Sequence, residues 1–273
     1  MADTEGEIVI EDETAADEEM GDVENGETVV EESAPGGLED IEPTIPPRTT
    51  FLDYLSSPIV ELAVGSGEQA TTLFAHQGLL TKSPFFEEAV SKFSDSPNTR
   101  RRIELSNDDL AATASVLEYL YKDDYYPNLT GTTNMDFDTS VPQPDNEGVG
   151  LLRHARIYAL AQRYGLPALA ALAHKKIHLT QSTAKGEIAY ARFVYAETNP
   201  DDENIRKPVA AFWANRSYVL RHEAEQEFKR MCLEYPQFGF DVLSLVLDAQ
   251  EKRSQRTEGT GGPSGRKRQR TIL

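Results

Sequence analysis

The chain has 273 residues and a formal net charge of −19, from 27 Lys and Arg against 46 Asp and Glu. That length admits one or two domains, and a lone cysteine, Cys232, excludes an intrachain disulfide and a thiolate metal cluster. The charge is uneven: residues 1–48 hold 17 acidic side chains and one basic, Arg48, a balance of −16, so the other 225 residues carry only −3.

No aromatic residue precedes Phe51. A segment so acidic and so poor in large apolar groups cannot bury enough surface to offset chain entropy, so 1–50 is expected to be a disordered acidic tail. Such a tail disfavours nucleic acid and anionic membrane surfaces. Its aliphatic islands, Ile8-Val9-Ile10 and Val29-Val30, lack the aromatics of an activation segment, and a solvating role is the plainer reading. The N-terminus is acidic where a signal peptide would be basic and apolar, and no apolar run reaches spanning length. A cytoplasmic or nuclear protein is expected, in which Asn128-Leu129-Thr130 and Asn215-Arg216-Ser217 are chance sequons.

Phe51-Leu52-Asp53-Tyr54-Leu55 predicts a short helix stopped at Pro58. Val60, Leu62 and Val64 alternate with Glu61 and Ala63 as in a half-buried strand. Gly65-Ser66-Gly67 supplies a hairpin turn, and Thr71–His76 the returning strand. Ser83 is placed to cap a helix that has Pro84 at its first position, Glu87 and Glu88 in its first turn, and an end near Phe93. A third strand is expected over 101–105.

Asn107 or Asp108 then caps a longer helix with Leu110, Ala114, Leu117 and Tyr121 on one face. Residues 127–150 lack periodicity and read as a long mobile loop. Helices follow at 151–164 and 167–179, hinged at Gly165, with Leu169, Leu172, Ala173 and Ile177 as the buried stripe of the second. Further helices are expected over 186–198, 207–234 and 240–252, and the remaining 253–273 is expected to be a disordered basic tail.

Several segments in this order, Phe74-Ala75-His76, Leu79-Leu80, Ser83-Pro84-Phe85-Phe86, Ile103-Glu104-Leu105, Leu117–Tyr121 with Asp124-Tyr125, and Ala155–Leu166, resemble the BTB/POZ family. The block after Gly186 resembles the helical extension of many fungal members. The resemblance implies an α+β chain: a BTB/POZ fold, a small mixed sheet with flanking helices, over 51–182, followed by an all-α extension over 183–252. It implies a protein-interaction module, homodimeric through an N-terminal helix whose matching residues are Phe51, Leu52 and Leu55. Other proteins are the expected partners, with no small-molecule substrate and no cofactor.

Two family features are missing. The charged groove of the family's repressors needs an Asp at the start of the first strand and a basic residue after the strand-closing His; here Ser57-Pro58-Ile59 and Gln77 stand instead. Both charges are absent together, so neither leaves a buried unpaired ion. Ubiquitin-ligase adaptors present an apolar-x-Glu turn to a cullin scaffold, of which Met135-Asp136-Phe137-Asp138 is a loose echo. An adaptor role, the alternative reading, would use Tyr121, Asp124 and Tyr125 as its contact surface, unless these are ordinary helix-end packing. A nuclear transcription-associated factor is the third reading. It rests on Arg266, Lys267, Arg268 and Arg270, a basic cluster of the kind read by import receptors.

No constellation for catalysis is present in the pattern. His174 and His178 lie four apart on one helix face, but a protein metal site needs three or four ligands. His76 reads as a hydrogen-bonded structural histidine, and His154 and His222 as solvated side chains beside Arg153 and Arg221. Gly65-Ser66-Gly67 lacks the Lys and helix of a phosphate loop, and Cys232 between Met231 and Leu233 reads as buried and inert. The expectation is a non-enzyme that works by buried surface.

Overall fold

The computed structural model describes residues 49–67, 70–94 and 100–258. The chain opens with a short helix, α1 (Phe51–Leu55), and a hairpin of β1 (Ile59–Val64) and β2 (Thr71–His76). These strands pair antiparallel from Ile59 against His76 to Val64 against Thr71. A third strand, β3 (Arg102–Leu105), runs parallel to β1, from Glu61 against Arg102 to Val64 against Leu105. The sheet order is β2-β1-β3. A parallel neighbour needs a crossover, supplied here by β2 with α2 (Gln77–Leu80) and α3 (Pro84–Ser91).

The period of two divides the sheet into faces. Val60, Leu62 and Val64 turn inward with Ala75, Ile103 and Leu105, while Ile59 and Phe74 on the opposite face stay exposed. Ser83 caps α3 as expected, accepting from the Phe86 amide at 3.4 Å, and its hydroxyl also donates to the Tyr164 carbonyl at 2.6 Å. The short α2 was not anticipated.

The next helix, α4 (Leu110–Lys122), is capped by Asp109, which accepts from the Ala112 amide at 2.8 Å, rather than by Asn107 or Asp108. Its buried side is Ala112, Thr113, Val116 and Leu120. The expected stripe is therefore corrected: Leu110 is 40% exposed and Ala114 faces solvent. Two apolar stripes lie side by side on this helix, and the sheet selects the second.

Two antiparallel helices follow, α5 (Val149–Arg163) and α6 (Pro167–Leu179), joined through Gly165 at φ +67°. Beyond them lie α7 (Ala184–Glu197), α8 (Glu203–Glu223), α9 (Glu225–Glu234) and α10 (Pro236–Glu258). The helix expected over 207–234 starts earlier and breaks at Ala224, and α10 runs past Lys252 to Glu258. Residues 253–258 are thus helical rather than part of a disordered tail. The acidic tail up to Arg48 lies outside the described residues.

A single apolar core contains Leu62 of the sheet, Ala155 of α5, Ile188 of α7 and Trp213 of α8. The boundary expected at 182/183 therefore coincides with no break in the interior. Trp213 stacks on Phe228 at 5.4 Å between centroids, with Phe238 edge-on to both. No described helix is long and apolar enough to cross a membrane.

The loop between α4 and α5 is pinned rather than free. Asp145 accepts from the Val149 and Gly150 amides at 2.8 and 3.0 Å, so it caps α5. Arg153 forms an ion pair with Asp138. Residues 128–136 fold back on themselves, with Thr130 N donating to Asn134 O and Asp136 N to Asn128 O, each at 2.9 Å.

Candidate interaction surface

The sequence of α1 fixes both its ends and its orientation. Thr50 and Asp53 form a reciprocal capping box, which satisfies amides that a five-residue helix would otherwise leave orphaned. Tyr54, half-buried, lies over α2, where the Lys82 ammonium sits 4.9 Å from its ring centre. Ser57 Oγ accepts from the Gly78 amide at 2.8 Å. A Cβ on Gly78 would meet Ser57 Oγ and Tyr54 Cδ1, each at 3.1 Å, so glycine permits this close approach.

Anchored by Tyr54, the helix turns its other side outward. Phe51, Leu52 and Leu55 are 53%, 70% and 42% exposed. At positions i, i+1 and i+4 they lie on one side of the helix. The sequence singled out these three residues, and the fold presents them together.

Of Tyr121, Asp124 and Tyr125, the first two are half-buried and the third is enclosed. Tyr121 Oη accepts from the His76 amide at 3.1 Å and lies 2.6 Å from His76 Nδ1, which bears out His76 as a structural histidine. Asp124 accepts from the Leu129 and Tyr125 amides at 3.0 and 2.8 Å and pairs with Lys176. Burial alone would push its carboxyl up, but the Lys176 ammonium and those amides hold it below the usual carboxylate range. Tyr125 is wholly buried, so its expected place on a contact surface is corrected. Its ring is enclosed because the chain turns inward after α4, at Asp123 with φ 58°.

Beneath this turn lie two groups that sequence reading misplaced. Lys176 is fully buried, its ammonium bonded to Asp124, to the Tyr125 carbonyl, and to the Pro127 carbonyl at 2.8 Å. It follows Leu169 by seven residues and Ala173 by three, a spacing that puts it on the buried stripe. His154, expected in solvent, is 1% exposed, with Nδ1 at 2.9 Å from Tyr125 Oη. Burial, helped by the Lys176 and Arg153 charges, pushes its pKa down to about 3. Its neighbours Leu151, Ile157 and Tyr158, at three and four residues' distance, carried the signal.

The remaining polar candidates are scattered. His174 and His178 bring their Nε2 atoms to 3.2 Å of each other on α6. Among the described residues, no group of three or more His, Cys, Asp or Glu could hold a metal ion. Cys232 is partly exposed rather than enclosed, and burial still raises its thiol pKa. His222 is exposed, as expected. The basic cluster of Arg266, Lys267, Arg268 and Arg270 lies outside the described residues. A scan against protein-family models and a search of the curated proteins find no match for this chain.

Proposed function

We propose that residues 51–182 are a BTB/POZ-type interaction module and that the chain self-associates through α1, acting as a scaffold or adaptor rather than as an enzyme. The observation that carries this reading is the outward face of Phe51, Leu52 and Leu55 on a helix already capped and anchored on its other side. Soluble proteins cover contiguous apolar patches, and a two-fold pairing of identical patches is the commonest way to do so. Each such side chain removed from water contributes about 1.5–3 kcal/mol. Further support comes from the order of elements: a hairpin, a parallel third strand, a helix, a long pinned loop and a helical pair.

Light scattering on the purified chain tests the reading. The expected mass is twice the 30.3 kDa of one chain, falling to one chain in Leu52→Glu with its helical content unchanged. A wild-type chain that stays monomeric at tens of micromolar, or a Leu52→Glu variant that stays dimeric, would overturn it.

A further inference from the structure

Between the α4–α5 loop and the end of α6 lies an open cavity of ≈ 520 Å³. Met135, Phe137 and Val141 border it from the loop, Leu179 and Gln181 from the α6 side, and His154 from α5. Its size is in the range of specific ligand sites. His154 is the deepest polar group on its wall, at 1% exposure. The Tyr125 hydroxyl finds its acceptor among the described residues in His154 Nδ1, at 2.9 Å. A buried hydroxyl proton is costly to leave unbonded, so Tyr125 donates to Nδ1 and the neutral imidazole carries its own proton on Nε2. That N–H makes no hydrogen bond among the described residues, and His154 is one of the residues that line the cavity.

We propose that this cavity docks an uncharged, extended peptide segment of a partner protein, with His154 Nε2–H donating to one of its backbone carbonyls. Charge argues for a neutral occupant. Asp136 and Asp138 line the cavity and repel anions, while Arg153, paired with Asp138, and Lys176, paired with Asp124, offset much of that negative charge and leave little to attract a cation. The lining also matches a peptide backbone, which needs donors and acceptors side by side. Asn134, Gln143 and Gln181 each offer both through a side-chain amide that makes no hydrogen bond among the described residues. Met135, Val141 and Leu179 offer apolar surface for one side chain, with the thioether adaptable in shape. The site is complete within one chain, so it stands whether or not α1 mediates pairing.

The test is a titration of the full-length, ¹⁵N-labelled chain with acetyl-Ala-Leu-Ala-Leu-amide, followed by amide chemical shifts. Saturable shifts are expected at Gly150, Thr180 and Gln181 and at the Gln143 side-chain amide. Replacing the second Leu of the peptide by Asp or by Lys is expected to weaken binding about tenfold. His154→Phe removes the donor and is expected to cost about tenfold in affinity. Because that change is buried, the double variant Gln143→Ala/Gln181→Ala, at two exposed positions, is the second arm and is expected to show a similar loss. Absence of saturable shifts at these positions up to the solubility limit would overturn the proposal. Equal binding of the charged peptides, or undiminished binding by either folded variant, would do the same.

Discussion

The Lys176 ammonium lies 3.8 Å from the centre of the Tyr125 ring while donating to the Pro127 carbonyl at 2.8 Å. One side chain of α6 therefore holds the exit of α4 and the first residues of the following loop. An ammonium taken out of water is tolerated only when fully paired. Here the carboxylate of Asp124, two carbonyls and an aromatic face complete that pairing.

Lys176→Met keeps the stem and removes the charge, leaving two buried carbonyls without their donor and Asp124 with only its two backbone amides. Breaking a buried pair from one side costs about 3–5 kcal/mol. Urea denaturation followed by circular dichroism is expected to show a loss of that size. A change below about 1 kcal/mol would mean that water already satisfies these groups.

Acid stability should depend on His154. The unfolded imidazole takes a proton near its ordinary value of 6.5, whereas the folded one resists until about 3. The unfolded state therefore binds more protons between those values. The contribution of His154 is fully present above 6.5 and is lost as pH falls towards 3. In His154→Gln, the fall of unfolding free energy between pH 6 and 4 is expected to be shallower by about 1.4 kcal/mol per pH unit. Parallel curves for the two proteins would sink this assignment.

Glu187 should act in the opposite sense. Burial raises its carboxyl to about 7, against the weaker pull of Arg216. The folded state holds this proton longer than the unfolded one, so its favourable contribution is present below 4.5 and disappears as pH rises through 7. Glu187→Gln is expected to stabilise the chain by roughly 2 kcal/mol at pH 8 and hardly at all at pH 4.5. Thermal melts at the two pH values check the difference.

Gly148→Ala meets two obstacles at once. Gly148 has φ +70°, and an added Cβ would lie 2.6 Å from the Gly186 carbonyl oxygen at the start of α7. Backbone cannot yield as a flexible side chain can, so a loss of about 2 kcal/mol or more is expected. Gly131→Ala is the control, with φ +95° but open space around it, and should cost about 1 kcal/mol. Equal losses in the two variants would show that φ alone, and not the approach to α7, decides.

What was legible in the sequence followed local chemistry. Strand alternation from Val60 to Val64, the Ser83-Pro84 cap and the glycine hinge at Gly165 each declared themselves through one residue's physical preference. Two helix faces competed on α4, and only the position of the sheet shows that Val116 and Leu120, not Leu110 and Ala114, face inward. Periodicity stops at a helix end, so it gave no hint that Tyr125, past Lys122, turns into the core. Residue type misled at His154 and Lys176: charge suggested water, while their spacing from Leu151 and Ala173 already pointed inside. The break at Ala224 has neither Gly nor Pro to announce it. Among the proposed interaction residues, Phe51, Leu52 and Leu55 were picked out by the resemblance of this segment to a family's N-terminal helix, since their pattern alone fits packing on the chain's own core equally well.

The shared interior of the sheet and the late helices has a practical consequence. Trimming the chain to its first 182 residues would remove α7, which packs on α5, and with it Ile188 and Ala191 of the shared core, leaving an oily wound there. Such a fragment would clump for reasons unrelated to any natural partner. The smallest piece worth expressing ends after α10.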